Sequence, residues 1–320
     1  MTTTRMVSGF YAVATSNQNR DMVLIDALTS KSPLLERCQW SRANRVIAHV
    51  YREVDQLEGL DVYDFDGKLP DVKVSFKLGS ANLLPIGGRL EVGEDTATLM
   101  GGADGFFREQ SILLARNAGQ KLEKAFFQKI VQTAQEKNRM YSYPNATTGV
   151  TIAVVSWAAL ETCALFSPAF KKHNGDFFEL DKYHKGAVYP NREGVNVFGA
   201  YVKTTVGLLL ADKNAYAVLT NVPTNVEHKD FPKQFAAMMA DVIDSANPNE
   251  HCTVIMPRAF KTKIASAVSH YGTGNALIRV DDKFEMRICG VPVIGSPNVS
   301  MDFKLPDVAT EPPPVANSAP

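Results

Sequence analysis

FFREQSILLARNAGQKLEKAFFQKIVQTAQEKNR, residues 106–139, runs without a proline and with one interior glycine, Gly119. Leu114, Ala118, Leu122, Phe126 and Ile130 recur every four residues, and Leu113 and Ala125 widen the stripe. That is the period of one helix face, and it predicts a single helix starting near Ala103. At ~1.5 Å per residue, about 34 residues reach ~50 Å. A compact chain of 320 residues has a diameter of about the same size. A rod that crosses the whole body fits a flattened or elongated molecule better than a sphere.

The polar side of this helix is basic: from Arg116 to Arg139 there are six Lys or Arg against two Glu. Upstream, from Arg45 to about Val92, the signals are those of strand and turn. RVIAHVYREV mixes β-branched and aromatic residues, DFDGKLPD supplies turn chemistry, and VKVSF alternates with period two. The reading is a long hairpin. Between Glu53 and Asp71 it carries seven acidic residues against one cation, Lys68. So acidic a hairpin is expected to project from the core. An acidic hairpin followed by a basic rod has two outcomes: it folds back within one chain, or it makes a head-to-tail contact between chains, the kind that closes rings or extends lattices. The candidate contact residues are Asp61, Asp64 and Asp66 on the hairpin, with Arg116, Lys121 and Lys124 on the helix.

Elsewhere the elements are mixed. Residues 1–20 read as an extended arm. RDMVLIDALTSKSPLLERCQW predicts a short helix and a turn at Pro33. VTIAVVSW is a strand, and GVNVFGAYVKTTVGLLLADKNAYAVLTNV a hairpin turning at Asp212–Asn214. DFPKQFAAMMADVIDSANP is a helix with Pro232 in its first turn and Phe235, Met238, Met239 and Val242 on its apolar face. HCTVIMP is a buried strand, RAFKTKIASAVSHYGTG a helix closed by Gly272, and IRVDDKFEMRICGVPVIGSP a strand, turn and strand that ends the sheet. The tail DVATEPPPVANSAP is proline-rich and is expected to be extended. Long helices with antiparallel-looking strands make the class α+β.

Lys plus Arg equals Asp plus Glu, 34 each, which argues against a dedicated nucleic-acid binder. The four cysteines, Cys38, Cys163, Cys252 and Cys289, form no C-x-x-C pair and read as reduced intracellular thiols. The N-terminus lacks the apolar centre of a secretory signal, no stretch offers ~18 consecutive apolar residues, and cytosolic synthesis is expected. The glycines at 87–88, 101–105 and 272–274 fit no phosphate-loop or dinucleotide motif and read as turns. His251 and Cys252 are strand neighbours, so they point to opposite faces and cannot converge on one atom. The six histidines show no metal-ligand spacing. Trp40 and Trp157 read as core or interface residues. Neither a catalytic nor a cofactor or metal site is expected.

The order of segments resembles the major capsid proteins of tailed bacteriophages, the Hong Kong 97-type fold shared with herpesvirus shells and encapsulins. DMVLIDALTSKSPLLERCQW resembles the N-terminal arm of one branch of that family, and LPDVKVSFKLGSANLLPIGGRLEVGED the second half of its extended loop. The helix of residues 106–139 is similar to the spine helix. VFGAYVKTTVGLLLADKNAYAVLTNV, HCTVIMPRAFKTKIA and GVPVIGSPNVS resemble the late half. The likeness covers roughly residues 20–305 and is weakest over 163–195.

The resemblance implies an arm over 1–40, an extended loop over 41–102, a peripheral domain with spine helix and sheet over 103–222, an axial domain over 223–300 and a tail over 301–320. It implies a subunit without catalysis or cofactor that self-assembles into hexamers and pentamers of an icosahedral shell around double-stranded DNA. The hairpin would lie over a neighbouring subunit. The partners implied are further copies of the chain, a portal, a decoration protein and non-specifically held DNA, with no membrane. A long charged N-terminal extension, which serves some relatives as a built-in scaffold, is missing here, so a separate scaffolding protein is expected. Localisation would be the virion, after assembly in the host cytoplasm. The alternatives are an encapsulin-like shell housing a cargo enzyme and, from a different class, an α+β enzyme with a site of scattered His and Cys.

Overall fold

The computed structural model describes residues 22–58, 73–144, 146, 148–168, 179–226, 228, 230–271, 277–280 and 285–303. The expected extended stretch over residues 1–20, the acidic hairpin tip with Asp61, Asp64 and Asp66, Gly272 and the proline-rich tail lie outside the described residues. Two short helices open the described chain, α1 (Met22–Thr29) and α2 (Pro33–Arg37). Pro33, expected at a turn, instead starts α2. Its missing N–H is one that a helix N-terminus leaves unbonded in any case.

Strand β1 (Trp40–Arg42) follows, then the hairpin of β2 (Ala48–Glu58) and β3 (Lys73–Gly93), a short α3 (Glu94–Leu99), and the long helix α4 (Ala103–Glu136). The buried ladder of α4 is Phe107, Ser111, Ala115, Gly119, Glu123, Phe127 and Val131, with Leu122, Phe126, Ile130 and Ala134 beside it. The stripe read from the sequence was therefore placed one residue off in the N-terminal half: Leu114 and Ala118 are half-buried, and Leu113 is 53% exposed. The physical reason is α1. A Cβ on Gly119 would lie 2.0 Å from the Leu28 carbonyl oxygen, so the two helices meet backbone to backbone on the small residues of α4.

The remaining elements are β4 (Met140–Ser142), β5 (Val150–Ser156), β6 (Thr162–Phe166), β7 (Glu179–Lys182), a short 3-10 turn (Tyr183–Gly186), β8 (Tyr189–Pro190), β9 (Asn196–Leu210), β10 (Tyr216–Val222), α5 (Phe231–Ser245), β11 (Cys252–Pro257), α6 (Arg258–Tyr271), β12 (Ile278–Val280), β13 (Met286–Ile288) and β14 (Val291–Ser296). They build two sheets. The first has the order β1-β6-β9-β3-β2, with β7 and β8 also on β9; the second is β12-β13-β14-β11-β5-β10-β4. The expected hairpin of β9 and β10 does not form. β9 pairs with β3 and β6, while β10 pairs with β5 and β4, so the turn at 211–215 hands the chain from one sheet to the other. Nor does the last strand end its sheet: β14 lies inside, parallel to β11 on one side and antiparallel to β13 on the other.

The second sheet is covered on both faces. Ala153, Val155, Tyr216, Val218 and Ile255 face the core that α4 fills; Ile152, Val154, Ala217, Leu219, Val254 and Met256 face α5 and α6. Burial on both sides explains why β5 and β11 are apolar throughout instead of alternating. Trp40, Trp157, Cys38, Cys163 and Cys252 are core residues, and the four cysteines are free. At the centre of the far side Phe235 stacks on Phe231 (5.6 Å between centroids) and meets Phe260 edge-on (6.3 Å). Phe235→Ala is expected to lower the unfolding free energy by ~3–5 kcal/mol, read as a fall in denaturant midpoint at unchanged slope.

Candidate assembly surface

Alternate residues of β3 point to opposite faces, and the two faces meet different surroundings. On one face, Ile86, Leu90 and Val92 are covered by the core around α4, and Leu114 of α4 sits over Gly88. The same face continues along the hairpin through Leu84, Leu78 and Phe76, past the reach of the helix. There the side chains are 58%, 75% and 55% exposed. Arg52, paired opposite Leu78, lies 6.0 Å from the Phe76 ring centroid. An apolar strip has run off the edge of its cover.

The opposite face is anchored. Tyr51 lies across Gly79, where any Cβ would strike its ring, and together with Ala81 it packs on Ala43, Leu83, Cys163, Leu165 and Leu209. Burial lowers the pKa of His49, which keeps the imidazole neutral, and its Nδ1 accepts the Asn44 amide (3.3 Å). Glu53 pairs with Lys137, just past the end of α4, at 3.5 Å. The base of the hairpin is thus tied to its own chain. Beyond it, the register shifts between Val54 and Gln56, a bulge that bends β2 before the tip.

Arg116, Lys121 and Lys124 are all exposed on α4, away from its buried ladder. Lys121 stands at the rim of a groove lined by Ile86, Gly88, Leu114, Ala118 and Val202. No described residue forms an ion pair with any of the three cations. One of the two glutamates counted on the polar side, Glu123, is buried instead, so the exposed surface is more basic than the sequence count suggested. The structure brings the three cations to one side of the helix; their expected acidic counterparts lie outside the described residues.

Beyond the anchored part, that second face of β3 continues as a tyrosine patch. Arg89 donates to the Tyr189 hydroxyl (3.0 Å), pairs with Glu91 and lies 4.9 Å from the Tyr183 ring centroid. Tyr189 in turn donates to Glu91 (2.8 Å), and Lys203 lies 4.9 Å from the Tyr201 ring. Gly199 is required beneath it, because a Cβ would meet the Tyr189 hydroxyl at 2.2 Å. Arg89, Glu91 and the Tyr189 hydroxyl thus satisfy one another within the patch.

No family model matches the chain, and no curated protein matches it in sequence. Among solved structures, the bacteriophage JBD30 capsid matches over 92% of this chain and 99% of that one, with a TM-score of 0.53 at 9% identity. The chain has a tailed-phage capsid fold. The bacteriophage Epsilon15 structure matches over 83% and 86% of the two chains (TM-score 0.49, 11% identity), and the SrpI encapsulin complex from Synechococcus elongatus over 70% and 93% (TM-score 0.42, 11% identity).

Within this capsid fold the apolar strip of Phe76, Leu78 and Leu84 is the feature that sequence reading missed. VKVSFKL shows the alternation, but only the position of α4 tells which parity is left uncovered. Among the described residues no three His, Cys, Asp or Glu side chains converge as a metal site, and no helix is long and apolar enough to cross a membrane.

Proposed function

We propose that the chain is a major capsid protein that self-assembles into hexamers and pentamers of an icosahedral shell enclosing double-stranded DNA. The observation that carries this reading is the near end-to-end correspondence with the JBD30 capsid chain. The exposed apolar strip, and the basic helix face without an ion pair among the described residues, supply what a tile needs at its edges. In this reading the hairpin is the extended loop (41–102), α4 the spine helix of a peripheral domain (103–222), and residues 223–300 the axial domain. β4, β5 and β10 reach from the peripheral segment into the axial sheet. The hairpin lies over a neighbouring copy, with Phe76, Leu78 and Leu84 closing on the groove beside Lys121. Asp61, Asp64 and Asp66 then approach Arg116, Lys121 and Lys124. Exposed ion pairs give ~0–1 kcal/mol each, so they set register while buried apolar area supplies affinity.

The subunit has no catalytic role, binds packaged DNA without sequence preference through phosphates, and works with a separate scaffolding protein, a portal and a decoration protein in the virion, after assembly in the host cytoplasm. Electron microscopy of the purified full chain is expected to show hexamers, pentamers or closed particles of uniform diameter. A monomer or dimer at every salt and protein concentration overturns the reading. Particles holding a second protein in place of nuclease-protected DNA identify an encapsulin-like compartment instead.

A further inference from the structure

The start of α2 is capped by a residue far away in the chain. Ser32 precedes Pro33 but its side chain makes no capping bond, and its Oγ is buried without a partner. The first amide that needs an acceptor is that of Leu34. It donates to Glu123 Oε1 of α4 at 3.0 Å. The other carboxylate oxygen takes the side-chain amide of Asn298, in the loop after β14. The same amide donates to the Lys31 carbonyl (2.9 Å), and Ser296 also hydrogen-bonds the carboxylate. A single carboxyl group with no solvent exposure therefore joins three segments: the α1–α2 junction, the long helix and the exit from the last strand.

We propose that Glu123 is a proton-operated clasp, and that α1 and α2 form a detachable strap which it holds to α4 and to the loop after β14. The inference stands on the geometry of the single chain, independent of any shell. Burial penalises the charged form and raises the pKa of Glu123, while the bonds from Asn298, Leu34 and Ser296 pull the other way and only reduce the rise. With the strap detached, the carboxyl faces water and returns to its ordinary value. The closed strap therefore holds the proton more tightly than the open one. Its attachment is complete below the ordinary carboxylate range and weakens as pH rises through the raised value.

Among the described residues no charged group contributes to the shift of Glu123. Cys38, on the strap side, is the titratable group in electrostatic contact with Glu123, and burial pushes its thiol up so that it stays neutral. Asp26, Lys31, Glu36 and Arg37 lie on the strap, Lys261, Glu285 and Arg287 line the groove beside α2, Lys121 and Lys124 are exposed on α4, and the end of β14 and the loop after it contribute the uncharged Ser296 and Asn298.

The test is hydrogen exchange of the full chain between pH 5 and 8, corrected for intrinsic rates, with peptides from β5 and β11 as internal reference. Protection of residues 22–38 is expected to fall across this range while the reference holds. Glu123→Gln, a neutral isostere, should remove that dependence. Should this variant fail to fold, Asn298→Ala takes its place: it deletes a bond that favours the charge, so the fall should steepen. A flat wild-type profile, an unchanged slope in both variants, or a parallel fall of the reference peptides overturns the clasp.

Discussion

Gly119→Leu is expected to strip α1 and α2 from the long helix while the second sheet stays folded. The atoms in the way are the Leu28 carbonyl oxygen and carbon, 2.0 and 2.9 Å from a Cβ at this position, and backbone cannot swing aside as a side chain can. Even Gly119→Ala should destabilise. It gains ~1 kcal/mol of helix propensity, yet a contact this short can be relieved only by moving α1, and overpacking costs ~1–3 kcal/mol. A leucine leaves no room at all. The strap then loses burial of Leu28, Leu34 and Leu35, each now fully covered and each contributing ~1.5–3 kcal/mol. Limited proteolysis should cut within residues 22–38 in the leucine variant, and the alanine variant should show a lower denaturant midpoint. An alanine variant as stable as its parent would contradict the close crossing.

Reversal of Arg116, Lys121 and Lys124 to glutamate is expected to stop assembly at free subunits in low salt, and further reversal of Asp61, Asp64 and Asp66 to lysine to restore it. Each exposed pair is worth at most ~1 kcal/mol, and like charges cost about as much. Three reversed pairs thus shift one contact by on the order of 3 kcal/mol or more, above a hundredfold in its association constant. A closed particle repeats the contact in every subunit. Light scattering and sedimentation at low and high ionic strength give the readout, with salt blunting both effects. Normal particles from the helix variant at low salt, or no recovery in the doubly reversed chain, would show that the hairpin does not meet this helix face. The Glu53–Lys137 pair within the chain is left intact in both variants, so the hairpin base keeps its place.

What could be read in advance was whatever depends on local periodicity. α4, α5, β5 and β11 announce themselves by spacing or by apolar runs, and the α+β class follows from their order. What depends on a distant partner could not be read. The Gly119 seam requires knowing that α1 crosses there, and Glu123 counts as a surface charge until the Leu34 amide is found 89 residues away. ADKNA carries turn chemistry whether its strands pair or part; here β9 was already occupied on both sides by β3 and β6. Phe76 and Leu78 read as ordinary strand residues because nothing local says where the helix stops covering the sheet.

The order of pairing in the second sheet governs how the chain comes off the ribosome. β5 is seven consecutive buried residues, yet its two partners, β10 and β11, follow much later, and β14 later still. At ~5–20 residues per second of synthesis, this greasy segment waits several seconds for its first neighbour and about twice as long for the sheet to close. During that interval it is a template for pairing with other nascent copies, so the yield of usable subunits should depend on translation speed and on chaperones that shield VTIAVVS until the C-terminal third emerges.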